Sequence, residues 1–192
     1  MPVSGQRRKM TDSKTIPSSW KLVVDPETIS RCISRISYEI LERDRDHNLA
    51  IVGIKTAGEY LARRIHERIE QLENRKVPFG VIDITLYRDD LLISGTKPLL
   101  KGTDLPFEVS GSRIVLVDDV LFTGRTIRAA LDAIIDFGRP SRVELAALVD
   151  RGHKELPIKA DYVGKNLPTQ RKDSIKVRLK EMGFQDDGVY LV

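Results

Sequence analysis

A single cysteine, Cys32, excludes an internal disulfide. Its neighbours are apolar at helical spacing, which places it in a core rather than as a reactive thiol. Three histidines (His47, His66 and His153) are scattered and match no metal-ligand spacing. No run approaches the ~18 apolar residues of a membrane span. The opening "MPVSGQRRKMTDSK" lacks the apolar core of a secretory signal. Cytoplasmic residence with no membrane partner is therefore expected. Internal repeats and low-complexity tracts are absent as well.

What is present is enough apolar matter for one good core. The chain has 192 residues, of which 41% are hydrophobic, so one domain is expected. The net charge is +4, and the excess is local. Between Lys165 and Lys180 there are six basic residues and one acid, Asp173. Arg7, Arg8, Lys9 and Lys14 face only Asp12 at the N-terminus. Such a balance permits a nucleic-acid or phosphate partner, and equally a solvated surface.

Residues 1 to about 20 are polar, basic and aperiodic, and read as a flexible leader before a single domain over 21–192. A helix should follow Asp25 as N-cap and Pro26 in the first turn. Ile29, Cys32, Ile33, Ile36 and Ile40 form its buried stripe, with Arg31, Ser34, Arg35, Tyr38 and Glu42 on the other face. Strands are expected at 49–54, 77–87, 113–117 and 142–149. A helix with Leu61, Ile65, Ile69 and Leu72 inward follows the first of these, and another runs from about Gly124 to Phe137. Residues 88–110 carry no helix signal, and a gap of that length is usually functional or mobile. Beyond Asp150 the pieces are short and strand-like ("IKVRL", "GVYLV"). The alternation predicts an α/β fold, a mostly parallel sheet with helices on both faces. Ligands of such sheets bind at the carboxyl ends of the strands. "GIKTAG", "YRDD" and "DDVLFTGRT" would all meet there.

The last of these stretches combines two chemistries. Thr123, Gly124, Arg125 and Thr126 bridge a strand end and a helix start, where unpaired N–H groups and hydroxyls suit a phosphate. Asp118 and Asp119 would repel that phosphate but accept hydrogen bonds from sugar hydroxyls, directly or through a magnesium shell. A ribose 5-phosphate satisfies both halves. The spacing alone fits equally well an acidic strand end and a capped helix.

"IVLVDDVLFTGRT" resembles the phosphoribosyl-diphosphate (PRPP) signature of type I phosphoribosyltransferases. "DITLYRDDL", "DFGRP" and "LVDRGHKELPIKADYVGKNLPT" make the chain, over about residues 23–182, similar to the PyrR family. Its members are pyrimidine-operon attenuation regulators that are also uracil phosphoribosyltransferases. The resemblance implies the type I phosphoribosyltransferase fold, with a small hood at about 150–170 plus the terminal strands. Asp118 and Asp119 would contact the ribose hydroxyls, with Mg2+ carried by PRPP beside them and no metal bound by protein alone. Val120, Leu121, Phe122, Thr123, Gly124, Arg125 and Thr126 would hold the 5-phosphate. The loop from Gly53 to Gly58, with Lys55, Thr56 and Ala57, would take the diphosphate, and such loops often hold a non-proline cis peptide. Arg88 would close over the diphosphate, and Arg151 would stand near the uracil. Arg88, Asp118 and Asp119 would be the catalytic groups.

The same resemblance implies leader-RNA binding in response to UMP or UTP. Ser34, Arg35, Tyr38, Arg43, His153, Lys154, Lys159 and Lys165 would form the RNA face, in a homo-oligomer. Three positions depart from the family pattern. Ala57 replaces a common arginine, Phe122 a common tyrosine and Tyr38 a common histidine. Ala57 favours the alternative of a regulator with little activity. A salvage enzyme for another base is the third reading.

Overall fold

The computed structural model describes residues 14–85 and 102–192. Its elements run β1 (Lys21–Val24), α1 (Pro26–Glu42), β2 (Leu49–Ile54), α2 (Ala57–Glu73), β3 (Phe79–Ile82) and β4 (Arg113–Leu121). There follow α3 (Arg125–Phe137), β5 (Arg142–Asp150), β6 (Tyr162–Asn166), β7 (Ile175–Arg178), a short 3-10 turn and β8 (Gly188–Leu191). Five strands form the main sheet in the order β3-β2-β4-β5-β6, and every neighbouring pair is parallel.

The continuous apolar runs follow from burial on both faces. Successive side chains of a strand alternate, and the two faces of the sheet collect different sets. Ile51, Val115, Val117, Ala146 and Leu148 pack with α1 and α2. Ala50, Val52, Leu116, Leu145 and Ala147 pack with the buried face of α3, Ile127, Ala130 and Ile134 among it. The helices begin where the local chemistry allows. Asp25 accepts the Thr28 N–H at 2.7 Å and caps α1, with Pro26 at its first position. Gly124 adopts φ 91° before α3, in the left-handed region that glycine enters without a Cβ clash.

Three expectations change. The expected strand at 113–117 runs on to Leu121, because β5 stays paired alongside it as far as Leu121–Asp150. The two acids therefore lie inside β4 rather than beyond its end. Of the strand expected at 77–87, the described residues form strand over Phe79–Ile82 only, and residues 86–87 lie outside them. Asp83 turns the chain away there, its Oδ1 accepting from the N–H and hydroxyl of Thr85. Leu72 is only half-buried.

The hood is also divided differently. Tyr162–Asn166, expected within it, is the edge strand β6 of the main sheet. The small layer is instead an antiparallel sheet of order β1-β8-β7, built from both ends of the described chain. Arg178 of β7 lies over the rings of Trp20 and Phe184, 5.0 and 5.2 Å from their centroids. Among the described residues no helix is long and apolar enough to cross a membrane.

Candidate active site at the carboxyl ends of the strands

β2, β3, β4 and β5 deliver their last residues to one edge of the sheet. β4 brings Asp118 and Asp119. Asp118 is buried and Asp119 half-buried. Each carboxylate accepts a hydrogen bond from the next backbone N–H: Asp118 Oδ1 from Asp119 at 2.9 Å, Asp119 Oδ1 from Val120 at 3.0 Å. Two such bonds do not balance two neighbouring buried charges. Burial first, and the Asp119 charge second, push the Asp118 carboxyl well above the ordinary range. Burial raises Asp119 as well, opposed by its hydrogen bonds and by the positive field of Arg178 in the small sheet above. A pair held in this way favours a ligand that brings hydroxyl donors or a cation.

β2 ends on Lys55. The peptide bond between Lys55 and Thr56 is cis, as the family resemblance implies. The Lys55 N–H donates to Ile82 O, and its ammonium lies 3.7 Å from Asp83 Oδ2. Thr85 chiefly, with Lys55 adding to it, holds the Asp83 carboxyl below its usual value. α2 begins at once, with Ala57 buried in the core cluster. Its first turn comes so close to β4 that only glycine fits at position 58. A Cβ there would stand 2.7 Å from Val117 O and 3.1 Å from Asp118 Cα. Gly58→Ala should push the start of α2 off β4 and carry Lys55 and Asp118 with it. A loss of thermal stability, by calorimetry, together with a loss of the phosphoribosyl transfer that the resemblance implies, by initial rates, is the expected outcome.

The turn after β4 is tied to the chain that leaves β5. Thr123 O accepts the N–H groups of Glu155 and Leu156 at 3.0 and 3.1 Å. Leu156 and Ile158 lie against Gly124, where an added Cβ would meet both at 3.3 Å. Phe122, half-buried, forms a platform. The Arg151 guanidinium lies 4.1 Å from its centroid, and His153 meets it edge-on at 6.3 Å. Arg151 is buried, and its guanidinium donates to Thr169 Oγ1 and Gln170 O. Arg125 and Thr126 are exposed at the start of α3, and Arg125 pairs with Glu155 at 3.0 Å. Leu121 is buried and Val120 half-buried.

Lys55, Thr56, Ala57, Asp118, Asp119, the turn from Val120 to Thr126 and Arg151 thus share one edge of the sheet. Arg88 and the rest of "YRDD" lie outside the described residues. Sequence reasoning passed over Asp83 and Asp150, although each follows an apolar run as Asp118 does. Asp150 Oδ1 accepts the Gly152 N–H, and its Oδ2 pairs with Lys154 at 2.7 Å. Arg178 had no signal in the sequence, since only the small antiparallel sheet brings it near β4.

The residues expected to meet RNA fall in two groups. On α1, Tyr38 occupies the exposed crest, with Ser34 toward α2 and Arg35 toward β6. Arg35 donates to the carbonyls of Val163 and Gly164, next to exposed Lys165. Arg43, just past α1, lies 4.9 Å over the Tyr162 ring. His153 and Lys154 sit at the end of β5, and Lys159 is exposed just before β6.

The fold and this edge define a phosphoribosyl transferase domain, and the family model of that description matches residues 19–183. Among solved structures, a hypoxanthine phosphoribosyl transferase of Trypanosoma cruzi superposes with a TM-score of 0.68 at 18% identity, covering 93% of this chain and 94% of that one. A hypoxanthine-guanine phosphoribosyltransferase of Bacillus anthracis gives 0.66 at 16% identity, covering 89% and 97%. At such identities they show the fold alone. The curated relatives are much nearer. The Bifunctional protein PyrR of Roseiflexus sp. (strain RS-1) is 56% identical over 90% of this chain and 94% of its own. That of Elusimicrobium minutum is 54% identical over 90% and 97%. The chain belongs to the PyrR family of phosphoribosyltransferases.

Proposed function

We propose that the protein is an attenuator of pyrimidine genes that binds leader RNA in response to UMP or UTP. It also makes UMP and diphosphate from uracil and PRPP. One observation carries the enzymatic half: buried Asp118 and half-buried Asp119 at the end of β4 stand beside a Gly124 turn and the Lys55–Thr56 loop. Asp118 and Asp119 accept hydrogen bonds from the ribose hydroxyls, and the turn from Leu121 to Thr126 binds the 5-phosphate at the start of α3. Lys55 and Thr56 receive the diphosphate, Arg88 closes over it, and Arg151 stands beside the uracil. Uracil N1 attacks the anomeric carbon as diphosphate leaves, through a cation-like sugar that the buried carboxylates stabilise.

Among the described residues no cluster of three or more His, Cys, Asp or Glu could hold a metal ion alone. Two adjacent carboxylates with raised pKa fit a magnesium shell brought in by PRPP, which when bound neutralises charge on the leaving diphosphate. The protein is taken as cytoplasmic, as a homo-oligomer, and as one domain over 21–192; of the leader expected at 1–20, residues 1–13 lie outside the described residues, while the Lys14 N–H donates to Gly183 O at 2.9 Å and Trp20 packs under Arg178.

A second reading, a regulator with little catalysis, is favoured by Ala57. It is buried in the core, so no long side chain reaches the diphosphate from that position. Initial rates with PRPP, Mg2+ and each nucleobase separate the two. UMP formation from uracil, well above that with guanine or hypoxanthine, is expected; none above background would leave the regulator alone. For the RNA half, titration of a pyrimidine-operon leader should show tighter binding with UMP and a steep loss with salt. Equal affinity for a scrambled RNA would remove that half.

A further inference from the structure

Among the described residues, the buried Nε of Arg68 on α2 has no hydrogen-bond partner. Buried guanidinium N–H groups normally find an acceptor, so the Arg68 guanidinium keeps donor capacity that the described residues do not use. It lines a groove of about 480 Å3 between α1 and α2, within the size range of small-ligand sites. Ser30 and Ser34 of α1 and Glu67 and Gln71 of α2 supply the polar walls. Arg64 also reaches the groove, but Glu181 and Asp187 hold its guanidinium at 2.6 Å each. Tyr38 stands nearby with its ring half exposed, its centroid 6.0 Å from the Arg68 guanidinium carbon.

Glu67 decides what can enter. A bare phosphate attracted by Arg68 would meet the Glu67 carboxylate in the same groove. A neutral nucleobase meets both groups if one edge accepts and another donates. Guanine does so: O6 and N7 accept, while N1–H and the N2 amino group donate. Unpaired bases are also what proteins read in RNA, by stacking on aromatic rings and bonding the exposed edges.

We propose that the groove between α1 and α2 holds one unpaired guanine of the bound RNA. Arg68 donates to its acceptor edge, Glu67 accepts from its donor edge, and Tyr38 stacks on its face. This rests on the RNA-binding reading above and extends it from an exposed helix face to a base-reading pocket. Arg35, across the crest of α1, then lies where a flanking phosphate would pass.

The test is titration of a pyrimidine-operon leader RNA, over a salt series, with the full chain and with Arg68→Gln, Glu67→Gln and Arg35→Gln. Arg68→Gln should weaken binding about ten- to a hundredfold. The slope of log affinity against log salt should stay unchanged, whereas Arg35→Gln should lower it by about one. Replacing the loop guanines one at a time with adenine should reveal one position where Arg68→Gln costs nothing further. Melting temperature and UMP formation should match the parent. If Arg68→Gln binds as tightly as the parent while Arg35→Gln does not, the groove assignment fails and RNA binding stands. A slope lowered by Arg68→Gln makes it a phosphate contact and overturns the base assignment. A changed mass by light scattering makes the groove a subunit interface and overturns it too. If the parent chain prefers no leader over scrambled RNA, the RNA reading falls, and the inference with it.

Discussion

Asp118→Asn is expected to make the protein more stable and less active at once. The side chain is buried, its partner Asp119 is adjacent in the chain, and burial with like charge raises its pKa. An ionised Asp118 therefore opposes folding. Asparagine keeps the Oδ1 that accepts the Asp119 N–H and removes the charge. The expected gain is about 1–2 kcal/mol, or a Tm roughly 2–8 °C higher. The cost falls on the reaction, because the cation-like sugar loses a facing negative charge. kcat/KM should drop on the order of a hundred- to a thousandfold.

The pH dependence has a definite sign. The folded pKa lies above the unfolded value, so between the two the folded state binds more protons. The destabilisation is present above the folded pKa and is relieved as pH falls through it toward the unfolded value. Mild acid should therefore raise the stability contribution of this site in the parent, and Asp118→Asn should remove that component. Calorimetry across the range measures both. A lower Tm for Asp118→Asn would show that the carboxylate serves the fold, not the ligand.

Glu144→Ala is expected to produce the largest loss of stability, at the other pole of the sheet. Arg113 at the start of β4 and Glu144 on β5 are both buried and meet at 2.6 Å. Tyr162 completes the group: its hydroxyl donates to Glu144 and accepts from Arg113, at 3.0 Å each. Burial and the Glu144 charge push that hydroxyl up to about 12. Asp44 adds a weaker contact to Arg113 at 3.5 Å and pairs with Arg75. Removing Glu144 leaves a buried arginine without its main partner, which costs about 3–5 kcal/mol. The Tm should fall by roughly 6–20 °C. Replacing both partners, Arg113→Met with Glu144→Leu, should recover most of it, since an apolar pair of similar volume avoids the desolvation. UMP formation well below the Tm should be nearly unchanged, because the group lies at the amino ends of the strands. If Glu144→Ala alone melts like the parent, the pair contributes little to stability.

The two poles also differ in how far they could be read without coordinates. "IVLVDDVLFTGRT" carries its chemistry in local order. Apolar residues, two acids and a Thr-Gly turn specify a strand, a ligand for hydroxyls and a helix start with little help from elsewhere. Helix α1 was equally legible, because its cap and its stripe at 29, 32, 33, 36 and 40 are short-range patterns. Arg113 and Glu144 carried no such signal. They are 31 residues apart, and each alone looks like a surface charge until β4 and β5 pair side by side.

The hood shows the same limit. "DYVGKN" alternates too little to reveal that it closes the edge of a parallel sheet, while β1 and β8 lie at opposite ends of the chain. Their pairing is a matter of topology, and no local propensity encodes it. Arg178 gains its influence on Asp119 through that pairing, and Arg68 its place beside Tyr38 through the packing of α2 on α1.

The sequence by itself determined the alternation of strands and helices, the end of the sheet that carries the site, and the phosphoribosyl-binding motif. Each is written in residues a few positions apart, where backbone geometry couples them directly. Only the tertiary structure decided how far β4 extends, which segments cover the acids and which buried charges find partners. Those outcomes depend on contacts between distant segments, and on desolvation that no residue feels until the chain has closed around it.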